Sequence, residues 1–259
     1  MDPPYESIPK IISGLDDIAP GSLESIRKLY SPVFQNLVPV SSPEVAEMTK
    51  LYENCQRMVC IAYANEMADA CRALSNPIDP FEVSRAAATK PFGYLPFTPS
   101  AGVGGDCIPV NPNYLFSTSD FPLLQHATEK MSKRPAMLAD RAMKELLAKD
   151  RDPTPKAGSR KHKVLVVGVA FKAGQQLTTN SPAVGIIDHL LESWDVHVAF
   201  ADPLVSEQAL PYVPRLDDSR EWNKEHLSQF DAIIVVMKQR GLDFDVLKEL
   251  DGVVIKHCQ

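Results

Sequence analysis

Four apolar runs of strand length dominate the C-terminal part of the chain and constrain its fold more than any other feature. They read "KVLVVGVAF", "DVHVAFADP", "FDAIIVVM" and "GVVIKHC". Between the first two lies "SPAVGIIDHLLES", which has the apolar spacing of an amphipathic helix. A strand, helix, strand order needs a crossover connection, and crossover connections join parallel strands. The pattern therefore predicts a doubly wound, Rossmann-like parallel sheet.

The N-terminal part is predicted to be helical. Ser42 is in the position of an N-cap, Pro43 is suited to the first helical residue, and Glu44 places an acid in the first turn. Apolar side chains then recur three or four residues apart, at Val45, Met48, Tyr52, Cys55, Val59 and Ala62. We expect one long helix that ends near Leu74, a length that suits a structural spine or a dimer surface.

A polar, proline-bearing segment, "DRDPTPKAGSRKHK", separates the two parts and has the composition of a linker. We therefore predict an α/β protein with two domains: a helical domain over residues 1–155, followed by a Rossmann-like parallel-sheet domain over residues 156–259.

Composition narrows the classes of partner and location. A net charge of −6 argues against nucleic acid, because binding to phosphate backbones draws on clustered Lys and Arg. The sequence has neither an apolar run long enough for a membrane span nor an N-terminal signal peptide. Its five cysteines form no CxxC pair, which favours reduced thiols, a cytoplasmic location and no metal site.

The predicted sheet lacks a dinucleotide fingerprint after its first strand. Gly168 is followed next by Gly174 and Gly185, so the GxGxxG spacing is not present. Asp202, at the end of the second strand, resembles a ribose-binding acid but has no glycine turn to act with. We therefore expect no cofactor site in this half.

Two groups of residues suggest chemistry, and each also has an ordinary structural explanation. Cys107 follows a glycine-rich turn in "GVGGDCIPVNP", where it is either a nucleophile or an inert turn thiol. Lys50 and Asn54 are four residues apart and share one helix face, which by itself is typical of a solvated surface.

Three stretches of this sequence resemble one known family. "AEMTKLYEN", "GVGGDCIPVNPNYL" and "VLVVGVAFKAGQQLTTNSPAVGIIDHLL" resemble the UDP-glucose/GDP-mannose dehydrogenase family, and particularly its UDP-N-acetylmannosamine and UDP-N-acetylglucosamine 6-dehydrogenase branch. The resemblance implies NAD-dependent oxidation of the sugar C6 alcohol to a carboxylate. It also implies an N-terminal NAD domain, a central helical domain that dimerises, and a Rossmann-like C-terminal domain that closes over the nucleotide sugar.

The resemblance assigns roles to individual residues. It implies that Cys107 is the nucleophile that attacks the C6 aldehyde, and that Lys50 and Asn54 hold an oxyanion or a catalytic water. The substrate-binding residues that it implies are Gly104, Gly105, Lys172 and Thr179.

The departures from the family are as informative as the matches. The chain begins where the family leaves its NAD domain, so we expect that domain and its cofactor to be absent. Asn111 stands where the family has an aspartate thought to act as a base, and an amide does not accept a proton at neutral pH. Thr179 stands where the family has an arginine, and Lys256, His257 and Cys258 stand where it tends to have Asp-x-Arg.

Three functions are compatible with this pattern. The first is a non-catalytic homologue that dimerises, with itself or with a related dehydrogenase, and holds a UDP-sugar. The second is a repurposed enzyme, such as an isomerase or cyclase, that uses the old pocket around Cys107 for redox-neutral chemistry. The third is a dehydrogenase fragment that is completed by a separate NAD domain.

Overall fold

A computed structural model describes residues 4–149 and 160–258 of the chain. These residues form two compact units, of which the first ends at Gln56 and the second begins at Arg57. The domain boundary predicted near residue 155 lies outside the described residues and stays a prediction. The two units are described separately below.

The first unit contains a small parallel sheet that the sequence did not predict. β1 (Lys10–Ile12) and β2 (Leu37–Pro39) pair in parallel and are connected through α1 (Ser22–Tyr30). The expectation of a helical N-terminal part was wrong for these two strands, because three residues are too few to show a periodicity. Ile12 is the only buried residue among the described residues up to position 50.

The helix α2 (Pro43–Ala73) begins in the first unit and ends in the second. Its predicted start is confirmed: the Val45 N–H donates to the Ser42 hydroxyl at 3.4 Å, and the same hydroxyl lowers the pKa of Glu44 through a hydrogen bond. Its end is within one residue of the predicted Leu74. The first part of its apolar stripe is largely exposed, with 74% of Tyr52 accessible to solvent.

The second unit combines helices with a four-stranded sheet. Its helices are α3 (Pro80–Ala87), α4 (Asn111–Phe116), α5 (Pro122–Lys149), α6 (Pro182–Ser193) and α7 (Lys224–Leu227). Its strands are β3 (His162–Val167), β4 (Val196–Ala201), β5 (Ala232–Val235) and β6 (Val254–His257).

The four strands lie in the order β4-β3-β5-β6 and all pairs are parallel, which confirms the predicted sheet. Side chains that alternate along β3 pack into two different cores. Val164 and Val166 face residues of α5 and α6, whereas Leu165 and Val167 face α7 and the 3-10 helix Phe244–Glu249. Burial on both faces explains why these strands read as continuous apolar runs.

The strand order places a topological switch point between β3 and β5. From β3 the chain crosses to β4 on one side, and from β5 it crosses to β6 on the other side. Loops that leave adjacent parallel strands in opposite directions open a crevice at the carboxyl ends of those strands, where ligands of such sheets bind. Here these loops are residues 168–181 and residues 236–243.

Within residues 4–149 and 160–258, no helix has both the length and the apolar character that crossing a membrane would require.

Candidate functional site

The Cys107 turn leads directly into α4. The Cys107 carbonyl accepts hydrogen bonds from the Val110 N–H at 3.2 Å and from the Asn111 N–H at 2.9 Å. Asn111 is the first residue of α4, so this helix begins as the turn closes. The Cys107 thiol is exposed. A backbone hydrogen bond thus links Cys107 to Asn111, four residues further along the chain, and the roles implied for their side chains stay predictions.

The same turn is hydrogen bonded to the loop that follows β3. The Gly105 N–H donates to the Thr179 carbonyl at 2.9 Å, and the Asn180 side-chain amide donates to the Gly105 carbonyl at 3.0 Å. Both backbone groups of Gly105 are therefore satisfied by two consecutive residues of one loop. Gly105 and Thr179, two of the predicted substrate-binding residues, contact each other.

The glycines of the turn have a packing role. A Cβ on Gly104 would lie 3.0 Å from the Asn180 carbonyl oxygen and 3.1 Å from Pro182. A Cβ on Gly105, which has a φ of +86°, would lie 3.0 Å from the Phe171 ring. A side chain at either position would need the neighbouring loop to shift by a few tenths of an ångström, and at Gly105 the positive φ also disfavours any other residue, so glycine suits the docking of this turn. Contact of these glycines with a substrate stays a prediction.

Lys172 lies on this neighbouring loop, which is closed by its own backbone hydrogen bonds. The Phe171 N–H donates to the Leu177 carbonyl at 2.9 Å, and the Gln175 N–H donates to the Lys172 carbonyl at 3.2 Å. The Lys172 side chain is exposed. Its position places a cation at the carboxyl end of β3, beside the Cys107 turn.

Gln239 joins the two loops at the switch point. It is 2% exposed, its Oε1 accepts from the Gly174 N–H at 2.8 Å, and its Nε2 donates to the Gln175 carbonyl at 3.3 Å. A buried side chain that satisfies both loops holds their relative position. The crevice between β3 and β5 is therefore fixed by protein hydrogen bonds.

Basic side chains border this crevice. A Cβ on Gly174 would lie 3.9 Å from the Arg240 guanidinium, so Arg240 adjoins the loop of Lys172. Among residues 4–149 and 160–258, no carboxylate lies within 4.0 Å of either cation. Lys238 lies over the Phe244 ring at 5.9 Å. Positive charge at one sheet edge, in a chain of net charge −6, favours an anionic ligand at that edge.

The backbone amides that follow β3 are hydrogen bonded within the protein. The N–H groups of Val169 and Ala170, which follow β3, donate to the carboxylate of Asp202 at 2.9 and 3.1 Å, and Asp202 is fully buried. In dinucleotide-binding sheets the amides at this position are directed at the pyrophosphate. Here a protein carboxylate already occupies them, and a Cβ at Gly168 would collide with the Met237 carbonyl.

The remaining two predicted catalytic residues belong to the first unit. The Lys50 Nζ lies 3.6 Å from the Glu53 carboxylate, and 61% of its side chain is exposed. Asn54 is buried, with 1% exposed. Their roles toward a substrate stay predictions.

Two residues of the site were missed by the sequence reasoning. Asn180 adopts a left-handed conformation with φ of +49°, a conformation for which asparagine is enriched. An asparagine before Ser-Pro was therefore a signal that could have been used. Gln239 gave no signal, because its partners are distant along the chain and only the fold brings them together.

Among the described residues, no three His, Cys, Asp or Glu side chains come together in a way that could hold a metal ion.

Two domain models of one family match this chain. Residues 44–130 match the central domain of the UDP-glucose/GDP-mannose dehydrogenase family, and residues 165–256 match the UDP binding domain of the same family. Together the matches cover more than half of the chain, in the order that the sequence resemblance indicated.

Similar proteins carry related names. A UDP-N-acetyl-D-mannosamine dehydrogenase of Methanococcus maripaludis is 28% identical over 93% of this chain and 50% of its own length. The enzyme of that name from Pyrococcus horikoshii is 32% identical over 71% of this chain and 42% of its own length. This chain therefore spans about half the length of the curated relatives that it matches.

Solved structures share the fold. The structure of UDP-D-ManNAc dehydrogenase from Pyrococcus horikoshii matches 97% of this chain and 60% of its own, with a TM-score of 0.76 and 24% identity. That of an NDP-N-acetyl-D-galactosaminuronic acid dehydrogenase from Methanosarcina mazei matches 94% of this chain and 52% of its own, with a TM-score of 0.73 and 25% identity. From the two domain matches, which together cover more than half of its length, the chain belongs to the UDP-glucose/GDP-mannose dehydrogenase family.

Proposed function

We propose that this chain binds a UDP-sugar at the carboxyl edge of β3 and β5. The observation that carries the proposal is the placement of Lys172 and Arg240 at the switch point, with no carboxylate partner among the described residues and beside the docked Cys107 turn. Cations on the two loops of one crevice suit an anion with two charged groups, such as a diphosphate. Membership in a family with a UDP binding domain, and relatives named as UDP-sugar dehydrogenases, support UDP as the nucleotide.

We further propose that the chain by itself does not oxidise the bound sugar. The amide of Asn111 does not act as a base at neutral pH. The amides after β3 are bonded to Asp202, so this sheet offers no place for NAD. These two features support a ligand-binding homologue over an independent dehydrogenase.

Calorimetric titration with UDP, a UDP-sugar and NAD tests the proposal. We expect UDP and the UDP-sugar to bind, and Lys172→Ala or Arg240→Ala to weaken UDP binding by about tenfold or more, as expected for one charge-assisted hydrogen bond. Lys248→Ala is the matched control, because Lys248 is exposed and pairs with Asp245 on the other side of the sheet. UDP affinity that is unchanged by Lys172→Ala would contradict this site, and binding of NAD would contradict the non-oxidising role.

We propose that the chain dimerises, with a second copy of itself or with a related dehydrogenase. A cavity of about 570 Å³ lies between α2, α3 and residues 93–99, and its lining is mainly apolar. Large apolar side chains around it are exposed, including 63% of Tyr63, 57% of Leu95 and 42% of Met67. Exposed apolar side chains grouped around a groove are typical of protein interfaces.

Light scattering on the purified protein tests the dimer. We expect a mass twice that of the chain, and a monomer after Tyr63→Glu, since a buried unpaired charge would oppose association. Tyr114→Glu is the matched control, because Tyr114 has nearly the same exposure, 62%, and lies on α4. A wild-type monomer at micromolar concentration would leave only the hetero-association with a related dehydrogenase, to be tested by mixing the two proteins.

We place the protein in the cytoplasm. All five cysteines are free thiols, and three of them, Cys55, Cys71 and Cys258, are buried. Free thiols in this number suit a reducing compartment.

A further inference from the structure

Asn180 has a left-handed backbone conformation and also donates a side-chain hydrogen bond to the Cys107 turn. It is the only non-glycine residue with a positive φ among residues 4–149 and 160–258. This conformation lets the Thr179 carbonyl and the Asn180 amide reach the two backbone groups of the same residue, Gly105. A sparsely populated conformation persists where surrounding contacts hold it in place.

We infer that Asn180 is a positioning residue that couples the Cys107 turn to the Lys172 loop, so that a UDP-sugar bound at the sheet edge and the Cys107 thiol influence each other. This inference rests on the proposed function for the identity of the ligand. The positioning role of Asn180 rests on the contacts alone.

The contacts form a short path between the two groups. Phe171 is the chain neighbour of Lys172, and its ring is 3.0 Å from where a Cβ of Gly105 would be. Gly105 is two residues from Cys107. A displacement of Lys172 toward a bound diphosphate would therefore move its chain neighbour Phe171, whose ring lies beside Gly105 of the turn that carries the thiol.

The Lys172 loop is also held by hydrogen bonds on the side away from the turn. Gln239 bonds to Gly174 and Gln175 from the core side, and the Phe171 N–H bonds to Leu177. On the side of the turn, the loop is held by the hydrogen bonds that Thr179 and Asn180 make to Gly105. Such coupling is reciprocal. If ligand binding shifts the equilibrium between two positions of the Cys107 turn, a shift of that equilibrium by other means must change the ligand affinity correspondingly.

The rate at which iodoacetamide alkylates Cys107 measures the state of the turn. Peptide mapping by mass spectrometry reads Cys107 and Cys60 in the same sample. Cys60 is half-buried in α2 and lines the proposed dimer groove, so a rise in its rate reports general loosening of the second unit, dissociation of the dimer included. Wild type is compared with Asn180→Ala and Asn180→Gly. The glycine variant keeps access to positive φ and removes only the side-chain donor.

We expect both variants to change the ligand-free alkylation rate of Cys107 by up to about tenfold, the factor equivalent to one hydrogen bond of ordinary strength, with Cys60 unchanged. Saturating UDP should alter the Cys107 rate in wild type and should leave it unaltered in the variants. Asn113→Ala is the matched control: its amide donates to the Pro109 carbonyl at 3.5 Å, on the α4 side of the same turn, and this variant should behave as wild type.

Several outcomes would overturn the inference. One is a Cys107 rate in Asn180→Gly equal to that of wild type in the absence of ligand. Another is a parallel rise at Cys60, which would mean general loosening. A third is an unchanged alkylation rate of Cys107 in wild type at a UDP concentration at which calorimetry shows binding. If UDP does not bind wild type, the proposed function fails, while the ligand-free rates still decide whether Asn180 positions the turn.

Discussion

The two parallel sheets of this protein differ sharply in how much apolar surface they bury. In the second unit, Val164, Leu165, Val166 and Val167 of the central strand β3 are all fully buried, because helices cover both faces. In the first unit, the sheet of β1 and β2 has three residues in each strand and buries only Ile12. Many large apolar side chains of the first unit are exposed: Tyr5, Ile8, Leu15, Ile18, Leu29, Val33 and Val38.

This difference shows where the folding free energy of the chain resides. Parallel sheets are normally covered on both faces, and a sheet of two short strands gains little from burial. The second unit therefore has a core that can stabilise it, whereas the first unit has almost none within its own residues. Substitutions at comparable positions of the two units should differ accordingly in their cost.

The largest difference between the two units in the free energy of unfolding should come from breaking an ion pair. Asp69 accepts from Arg134 at 2.9 Å and from Arg141 at 2.6 Å, and the Arg134 side chain is only 3% exposed. Asp69→Ala leaves a buried guanidinium without its partner, so we expect a loss of about 3 to 5 kcal/mol in the free energy of unfolding. In the first unit, Glu53→Ala breaks the exposed pair with Lys50 and should cost at most about 0.5 kcal/mol.

Urea denaturation followed by circular dichroism measures both values. Equal losses for Asp69→Ala and Glu53→Ala would contradict the view that the burial of Arg134 makes the Asp69 ion pair the more costly one to break.

Apolar truncation should give the next largest difference. Ile233 lies in β5 and is fully buried, so Ile233→Ala should lower the free energy of unfolding by about 2 to 4 kcal/mol. Val38 lies in β2 and is 40% exposed, so Val38→Ala should change it by no more than about 0.5 kcal/mol. Ile12→Ala is the informative control, since it removes the one buried side chain of β1. A cost at Val38 as large as that at Ile233 would show that the first sheet is covered in solution.

The smallest difference between the two units should appear in how the free energy of unfolding depends on acidic pH. Burial raises the pKa of the Asp69 carboxyl, but hydrogen bonds from Arg141 and Arg134 outweigh burial and hold the pKa below its ordinary value of 3.8. Because the folded pKa is depressed, this carboxylate contributes its full stability above pH 3.8 and loses it as the pH falls through the lower folded value.

Unfolding measured between pH 6 and pH 2.5 should therefore become less dependent on pH in Asp69→Asn than in wild type. In the first unit, Glu44→Gln removes an acid whose pKa is also lowered, by the Ser42 hydroxyl, but at a fully exposed position. We expect that variant to follow the wild-type pH profile. A larger change for Glu44→Gln than for Asp69→Asn would reverse the comparison.

Sequence patterns predicted the parts of the fold that depend on local physics. The four apolar runs gave four parallel strands because burial on both faces requires them to be apolar throughout. Ser42 and Pro43 located the start of α2 because capping is decided by neighbouring residues. β1 and β2 were not predicted because each has three residues, and because β2 ends at Pro39, a residue type that strands usually avoid.

The candidate site was predictable in its parts and not in its connections. The resemblance identified Cys107, Asn111, Lys172 and Thr179, and the structure places them all around the Cys107 turn and the loop after β3 of the second unit. The bond from Gly105 to Thr179 spans more than seventy residues of sequence. Contacts of that range depend on the register of the whole fold, which no local pattern contains.

The close packing of Gly104 and Gly105 against the Lys172 loop changes how mutational data on this turn should be read. In sequence these glycines look like residues that make room for a ligand, so a loss of function in Gly105→Ala would commonly be taken as a lost ligand contact. With φ of +86° at Gly105 and the Phe171 ring 3.0 Å from the added methyl group, backbone strain and a shift between the turn and the ring would give the same loss. A genetic screen of this turn would therefore report docking between two loops together with any ligand contact, and ligand contacts are better tested at exposed neighbours such as Cys107 and Lys172.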